Sequence, residues 1–261
     1  MSKEKHSQKS TKMVLITIFA IILIGSAGYL IYHFYQQWSQ KEDTDNIASD
    51  IENDIETAKD ENGEEAAEKV MLEKLADLKK ENNDIVGWIK IEDTNINYPV
   101  VQTDNNDYYI NHNFKKKYNE LGSIFLDKDC SIEKPTANFL IYGHRSEGKQ
   151  MFETLTKYKK ESFYKEHKTF EFSTLNEVGT YQVIAVFQSQ VYYKKQDVFK
   201  YYFFKDAKTK TEFDNYINNI KKLSMYKIED TATYGEQLIT LSTCDYHVED
   251  GRFAVVAKKV K

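Results

Sequence analysis

The sequence predicts a mostly β protein with helices, of the α+β class, whose eight strands form an antiparallel barrel or sandwich. Eight short apolar or alternating runs are separated by polar turns, a pattern typical of such folds. Nineteen tyrosines and fifteen phenylalanines, against two prolines, favour strands with large packed rings. An uncharged apolar segment and an amphipathic pattern precede the first run, so we expect a transmembrane helix and an N-terminal helix before the sheet.

The first element is the apolar segment VLITIFAIILIGSAGYLI at residues 14–31, which contains no charge. As a helix it would span roughly 27 Å, close to the hydrocarbon thickness of a bilayer. Four lysines lie just before it, so the positive-inside rule keeps the N-terminus in the cytoplasm. We therefore predict a cytoplasmic tail at 1–12, a single-pass anchor in the cell membrane at 13–35, and an extracellular remainder. A cleaved signal peptide is the alternative, because small residues occur at 26–28.

The next element is an acidic spacer at 36–63. Residues 42–68 hold twelve acidic side chains and one lysine, so we expect a solvated spacer or a loosely helical stalk. An amphipathic helix follows from Glu64 to about Glu81, and its apolar stripe should pack on the strands that follow. The stripe consists of Ala67, Met71, Leu75 and Leu78. We take 64–261 as one extracellular domain that includes this helix.

The strand-like runs fill most of the rest of the chain. Two helical patches interrupt them, one at 150–158 and one whose apolar side chains between 213 and 223 share a face. The segment 191–234 contains the second patch and is long for a loop, so we expect it to form a wall over a groove. The predicted strands are 85–91, 96–102, 123–126, 138–142, 169–173, 180–188, 237–242 and 252–260.

The net charge argues against nucleic-acid binding, and the spacing of the histidines, cysteines and carboxylates argues against a metal site. Residues 69–261 carry a net charge of +2, so this part has no electrostatic footprint for nucleic acid. The histidines and cysteines do not have the spacing of a zinc site, and we find no carboxylate loop for calcium. We therefore expect no metal and no other cofactor.

Three residues point to a thiol acyl-transfer site. Cys244 ends one apolar run in TLSTC, Arg252 begins the next, and His144 follows a third in the segment YGH. A thiol becomes a good nucleophile when a neighbouring cation favours the thiolate, and a histidine can provide that cation and later protonate a leaving amine. The planar fork of an arginine suits a developing oxyanion or a substrate carbonyl.

Two alternatives remain open for these residues. An extracellular chain with two cysteines can use them for one disulfide, and a bond between Cys130 and Cys244 would abolish the proposed chemistry. His247 lies three residues after Cys244 and is the rival of His144. We favour His144, chiefly because it belongs to the YGH motif. A short connection between antiparallel strands also tends to direct the side chain of His247 to solvent.

Over roughly residues 70–261 the chain resembles the sortases, membrane-anchored cysteine transpeptidases of Gram-positive bacteria. The motifs that carry the resemblance are TLSTC followed by an arginine on the next strand, and the upstream NFLIYGH. The N-terminal anchor, the stretch NYPVVQTDNNDYYINHNF and the helix-containing insertion resemble class B. The resemblance implies an eight-stranded sortase-type β-barrel in which Cys244 is the nucleophile, His144 the general acid and Arg252 the oxyanion or substrate-positioning group.

The resemblance also implies a reaction and its partners. Such an enzyme cleaves the C-terminal sorting signal of surface proteins after a threonine, forms a thioacyl-enzyme, and transfers the acyl group to an amine of the peptidoglycan precursor or cross-bridge. A membrane-anchored cysteine endopeptidase, in which water resolves the acyl-enzyme, uses the same residues. A non-enzymatic surface-binding module with structural cysteines is a further alternative. The expected substrate-binding residues are Ser242, Thr243 and Asp245 beside the nucleophile, Asn106 and Ile110 at the signal pocket, and Tyr201 and Tyr202, which either wall the groove or only pack in the fold.

Overall fold

The computed structural model describes residues 2–146, 148, 150–193 and 195–261, with side chains from residue 12 onward. The chain forms two compact units, Met1–Glu42 and Asp43–Lys261, which are described separately. The first helix, α1 (Ser2–Asn62), contributes to both units.

The first unit consists of the N-terminal part of α1. In the described residues, one helix is long and apolar enough to cross a membrane, and its apolar window is wholly exposed. Large apolar side chains such as Phe19, Leu23 and Ile24 are each about 70% exposed, which is the distribution expected of side chains that face lipid. The segment predicted as the anchor, 13–35, is helical throughout.

The second unit begins within the predicted spacer, and the expectation of a solvated spacer is wrong for 43–62. Ala48 and Ile51 are buried in a cluster with Leu75 and Trp88, because apolar residues recur on one face of this part of α1. Several acidic side chains of this part of α1 pair with lysines, as in Asp50 with Lys74 at 2.6 Å. The compact unit thus starts at Asp43 and not at Glu64.

The second helix, α2 (Glu64–Glu81), agrees with its predicted bounds. Gly63 separates it from α1 with a φ of 82°, a left-handed conformation that favours glycine. Glutamates in the first turn and lysines in the last turn complement the helix dipole. The predicted stripe is buried, at Ala67, Met71, Leu75 and Leu78.

The sheet closes into an eight-stranded barrel with the strand order β1-β2-β3-β4-β7-β8-β6-β5. All eight predicted strands are confirmed, with ends that differ from prediction by at most two residues. The strands are β1 (Ile85–Lys90), β2 (Asn97–Val101), β3 (Ile124–Leu126), β4 (Asn138–Tyr142), β5 (Thr169–Thr174), β6 (Thr180–Gln190), β7 (Leu238–Cys244) and β8 (Gly251–Lys259).

The barrel is not wholly antiparallel, and that part of the prediction is wrong. The pairs β2–β3 and β4–β7 are parallel. Parallel strands require a long crossover, and long connections indeed separate β2 from β3 and β4 from β7. The apolar pattern of a strand identifies the buried face but does not encode the direction of its neighbour.

The remaining helices lie in the connections between the strands. The patch predicted at 150–158 is a 3₁₀ helix (Thr154–Lys159) followed by α3 (Glu161–Glu166). The second patch is α4 (Lys210–Leu223), which begins with a capping box of Thr209 and Glu212. Two further 3₁₀ helices are Tyr108–Ile110 and Tyr201–Phe203. Helix α4 packs its apolar face on the core, and a hydrogen bond joins Tyr216 to Thr240 of β7 at 3.1 Å.

Candidate active site

A groove of about 380 Å³ opens at the ends of β4 and β7. Nine of the ten predicted site residues line it, all except Asp245. Its further lining residues were not named as site residues from the sequence, although two of them belong to the YGH motif. These residues are Asp107, Phe125, Tyr142, Gly143 and Val191.

Cys244 and Arg252 meet in the groove through the pairing of β7 and β8. Cys244 is the last residue of β7 and is the register partner of Arg252. Directly opposite residues of an antiparallel pair have Cβ atoms about 4.5–5.5 Å apart, so the two side chains leave the sheet next to each other. The guanidinium is oriented by the adjoining turn, because Nη1 donates to the carbonyl oxygens of Gly251 at 2.9 Å and Asp250 at 3.2 Å.

His144 reaches the same level through the parallel pairing of β4 and β7. The last register pair is Tyr142 with Ser242, and His144 and Cys244 each follow two residues later. The Nε2 atom of His144 lies 2.7 Å from the carbonyl oxygen of Ile110. A carbonyl only accepts, so Nε2 carries the proton in this contact and the imidazole is held at the rim of the groove.

The glycine of the YGH segment allows the end of β4 to pass over the core. A Cβ atom at Gly143 would lie 2.4 Å from Cδ1 of Ile124 and 2.7 Å from Cδ2 of Phe152. The Gly143 amide donates to the carbonyl of Ser242 at 3.1 Å, and the Thr243 hydroxyl donates to the Gly143 carbonyl at 2.8 Å. These contacts extend the join between the two strands beyond their last register pair.

Tyr201 and Tyr202 line the groove and also pack against the core. The hydroxyls of Tyr201 and Ser242 lie 2.7 Å apart in a buried contact. Burial raises the pKa of Tyr201 to about 12, against the opposing effects of the Ser242 hydrogen bond and the Arg252 charge. The backbone amide of Tyr192 donates to the Tyr202 hydroxyl at 2.9 Å.

The opposite wall carries Asn106, whose amide is fixed by a buried carboxylate. Asn106 Nδ2 donates to Asp127 Oδ2 at 3.1 Å, and the backbone amide of Lys128 donates to Asn106 Oδ1 at 2.8 Å. Tyr142 donates its hydroxyl proton to the same Asp127 oxygen at 2.9 Å. Burial raises the pKa of Tyr142, and the Asp127 charge raises it further. Asp127 is a residue that sequence reasoning missed, because its partners are distant in the chain.

Asp245 does not border the groove, contrary to expectation. Its buried carboxylate accepts from Arg145 at 2.9 Å, Lys159 at 2.7 Å and Gln188 at 2.6 Å. Burial alone would raise the pKa of Asp245, but the hydrogen bonds of Gln188 and Lys159 and the nearby charges hold that pKa below its ordinary value. The rival histidine, His247, contacts this carboxylate at 3.0 Å and is not among the described lining residues of the groove.

The disulfide alternative is wrong, because Cys130 and Cys244 are both free. Cys130 is buried in the main core, and its thiol donates to the Asn138 carbonyl at 3.3 Å. Burial raises the pKa of Cys130 to about 11. Among the described residues, no group of three or more His, Cys, Asp or Glu side chains could hold a metal ion.

Comparison with known proteins identifies the family. Residues 89–260 match the family model of the sortase domain. Sortase B of Listeria monocytogenes is 34% identical over 190 residues, which cover 72% of this chain and 74% of that protein. Sortase B of Staphylococcus aureus is 35% identical over 186 residues, covering 70% and 73%. The solved Staphylococcus aureus sortase B–substrate complex has a TM-score of 0.73 at 27% identity and covers 87% of this chain and 99% of its own.

This chain therefore belongs to the sortase family, and within it to class B. Its barrel is the sortase-type fold that the resemblance implied. The class consists of cell-wall sorting transpeptidases, so the chain is an enzyme of this kind and the non-enzymatic module is excluded.

Proposed function

We propose that this sortase cleaves the C-terminal sorting signal of surface proteins after a threonine, through a thioacyl-enzyme on Cys244. It then transfers the acyl group to an amine of the peptidoglycan precursor or cross-bridge. One observation carries the assignment of residues: strand register brings Cys244 opposite Arg252 and level with His144 in a single groove. The sorting signal of the substrate would lie between the wall of Tyr201 and Tyr202 and the wall of Asn106 and Ile110.

In the acylation step, the Cys244 thiolate attacks the threonine carbonyl carbon. The carbonyl oxygen takes up the electron pair and is stabilised by the guanidinium of Arg252. As the tetrahedral intermediate collapses, the peptide C–N bond breaks and His144 gives its proton to the leaving amine. The products are a thioester on Cys244 and a released peptide with a new N-terminus.

In the second step, an amine attacks the thioester carbonyl in the same groove. The C–S bond breaks, an amide forms, and the proton lost by the amine passes to His144. Cys244 and His144 then have the protonation states with which the cycle began. If water replaces the amine, the product is a free acid, and the enzyme acts as the endopeptidase of the alternative.

The apolar helix supports an anchor at 13–35, with the tail at 1–12 in the cytoplasm of a Gram-positive cell and the enzyme outside. Both substrates would be held at the same membrane surface. Confinement to that surface raises their effective concentration at the groove without any new contact.

The test uses the full chain in detergent micelles with a library of quenched sorting-signal peptides and an added peptide amine. Mass spectrometry of the products separates the outcomes. An amide adduct supports the transpeptidase, whereas the free acid alone supports the endopeptidase. Cleavage by the Cys244→Ala variant at the wild-type rate would contradict both.

A further inference from the structure

The residues that follow His144 and Cys244 in the chain form a buried ion pair. Arg145 Nη1 lies 2.9 Å from Asp245 Oδ1. The side chain of Asp245 is 1% exposed and that of Arg145 is 22% exposed. An ion pair with little access to water has a defined geometry, and removing one partner strongly lowers the free energy of unfolding.

This ion pair and a hydrogen bond flank the two proposed catalytic residues. On the strand side, the Thr243 hydroxyl donates to the Gly143 carbonyl at 2.8 Å. On the loop side, Arg145 donates to Asp245. His144 and Cys244 lie between these two contacts in their respective segments. The separation of the two segments is therefore fixed on both sides of the reacting groups.

Arg145 is itself held firmly enough to transmit this constraint. Its Nε atom donates to Glu153 at 3.0 Å, and its guanidinium lies 4.9 Å from the centre of the Tyr246 ring. The backbone next to it is also fixed, because the amide of Phe152 donates to the His144 carbonyl at 2.9 Å. The planar fork of an arginine suits several such contacts at once.

Lys159 and Gln188, two other donors to Asp245, come from elements that carry no proposed catalytic residue. Lys159 ends the 3₁₀ helix Thr154–Lys159 and donates to the same oxygen, Oδ1, at 2.7 Å. Gln188 lies on β6, and His247 lies in the turn after Cys244. The difference between Arg145 and Lys159 that matters here is that the segment of Arg145 also carries His144.

We propose that Arg145 and Asp245 are positioning residues that hold the imidazole of His144 in register with the thiol of Cys244. Neither residue is among the described lining residues of the groove, so both would act without touching a substrate. The proposal rests on the proposed roles of Cys244 and His144. A displacement of about 1 Å between reacting groups can lower a rate about 100-fold, so a modest shift of this loop is sufficient.

The test compares Arg145→Gln with Lys159→Gln, which each remove one cation from the same Asp245 oxygen. Thermal midpoints and steady-state peptide cleavage are measured for both variants below the midpoint of the less stable one. For Arg145→Gln we expect kcat to fall roughly 30- to 100-fold with KM within about twofold. For Lys159→Gln we expect a similar loss of stability but a kcat within about threefold of wild type. Equal kcat values in the two variants would overturn the proposal.

A substrate-free measurement separates this proposal from the proposed function. The rate of Cys244 alkylation by iodoacetamide is measured at neutral pH in wild type, His144→Gln, Arg145→Gln and Lys159→Gln. We expect Arg145→Gln to reproduce most of the change that His144→Gln causes and Lys159→Gln to reproduce little of it. A wild type that cleaves no sorting peptide but shows this pattern would refute the proposed function alone. An Arg145→Gln rate equal to that of wild type would refute the positioning role.

A second variant covers the case in which Arg145→Gln does not fold. Arg145→Lys keeps a cation beside Asp245 but loses the planar fork that also holds Glu153. It takes the place of Arg145→Gln in both measurements, and we expect a kcat lower than that of Lys159→Gln. A kcat at the wild-type level in a folded Arg145→Lys variant, together with unchanged alkylation, would overturn the proposal.

Discussion

The two cysteines of this chain are in opposite environments. Cys130 is 5% exposed in the core, where its sulfur also accepts from the Leu140 amide at 3.4 Å. Cys244 ends β7 in an open groove, half-exposed and opposite Arg252. Each lies close to a buried carboxylate, Asp127 near the first and Asp245 directly after the second.

This comparison shows that the fold, and not the local sequence, determines what a thiol can do. Cys130 occurs in a polar segment that indicates an exposed turn, yet its thiol points into the core. Cys244 occurs in an apolar run, yet its thiol opens on the groove. In the proposed mechanism, the nucleophile is the thiol that opens on the groove lined also by Arg252 and His144.

The largest expected effect comes from removing each thiol in turn. Cys244→Ala should lower the rate of peptide cleavage at least about 10⁴-fold, because the covalent intermediate cannot form. Cys130→Ala should leave kcat within about twofold and lower the free energy of unfolding by about 1 kcal/mol, because it only leaves a small cavity. Steady-state kinetics and urea unfolding of both variants check this. Equal losses of activity would erase the distinction between the two cysteines.

Alkylation should distinguish the two thiols in the wild-type protein. With a pKa of about 11, Cys130 is ionised to only about one part in 10⁴ at pH 7, and it is buried as well. We expect iodoacetamide to modify Cys244 at least about 10³-fold faster than Cys130 in the folded protein. Peptide mapping by mass spectrometry after timed quenching gives both rates. Unfolding in urea is the control, since it should make the two rates similar.

Replacing the guanidinium beside Cys244 should have a smaller effect. Arg252→Lys keeps a positive charge but loses the planar fork whose Nη1 bonds to Gly251 and Asp250. We expect kcat to fall about 100-fold with little change in the thermal midpoint. Peptide cleavage and differential scanning calorimetry measure the two quantities. A variant with full activity would remove Arg252 from the mechanism.

The carboxylate next to Cys244 should make stability depend on pH. The pKa of Asp245 is lower in the folded chain than its ordinary value, so its contribution to stability is present above about pH 4 and is lost as pH falls through the folded pKa. Asp245→Asn should lower the free energy of unfolding by about 2 kcal/mol at pH 7. Its stability should also change less than that of wild type between about pH 5 and pH 2. Urea unfolding at several pH values tests this, and parallel curves for the two proteins would contradict it.

Much of the fold was predictable because strand patterns are local. The run at 138–142 was predicted with its observed ends, because it is a short apolar run bounded by turns. Its parallel pairing with β7 was not predictable, since that contact joins segments a hundred residues apart and periodicity carries no direction. The burial of Ala48 and Ile51 was missed because twelve acidic residues dominated the composition around them.

The residues of the site also divide into those that the sequence predicted and those that it did not. Cys244, His144 and Arg252 were predicted from motifs, because the chemistry requires those residue types at strand ends. Asp127 and Arg145 were not, because each acts through partners that only the closed barrel provides. Asp245 was expected to border the groove, but its carboxylate is buried against Arg145, Lys159 and Gln188, which are distant from it in the chain.

The last strand of the barrel has a consequence for biosynthesis. Strand β8 ends two residues before the C-terminus and pairs with both β6 and β7. A ribosome makes this strand after the candidate membrane helix and the thiol, so both exist before the barrel can close. A chain that stopped at Gly251 would keep Cys244 but lose Arg252 and the strand that pairs with β7. Closure of the barrel beside the thiol therefore waits for β8.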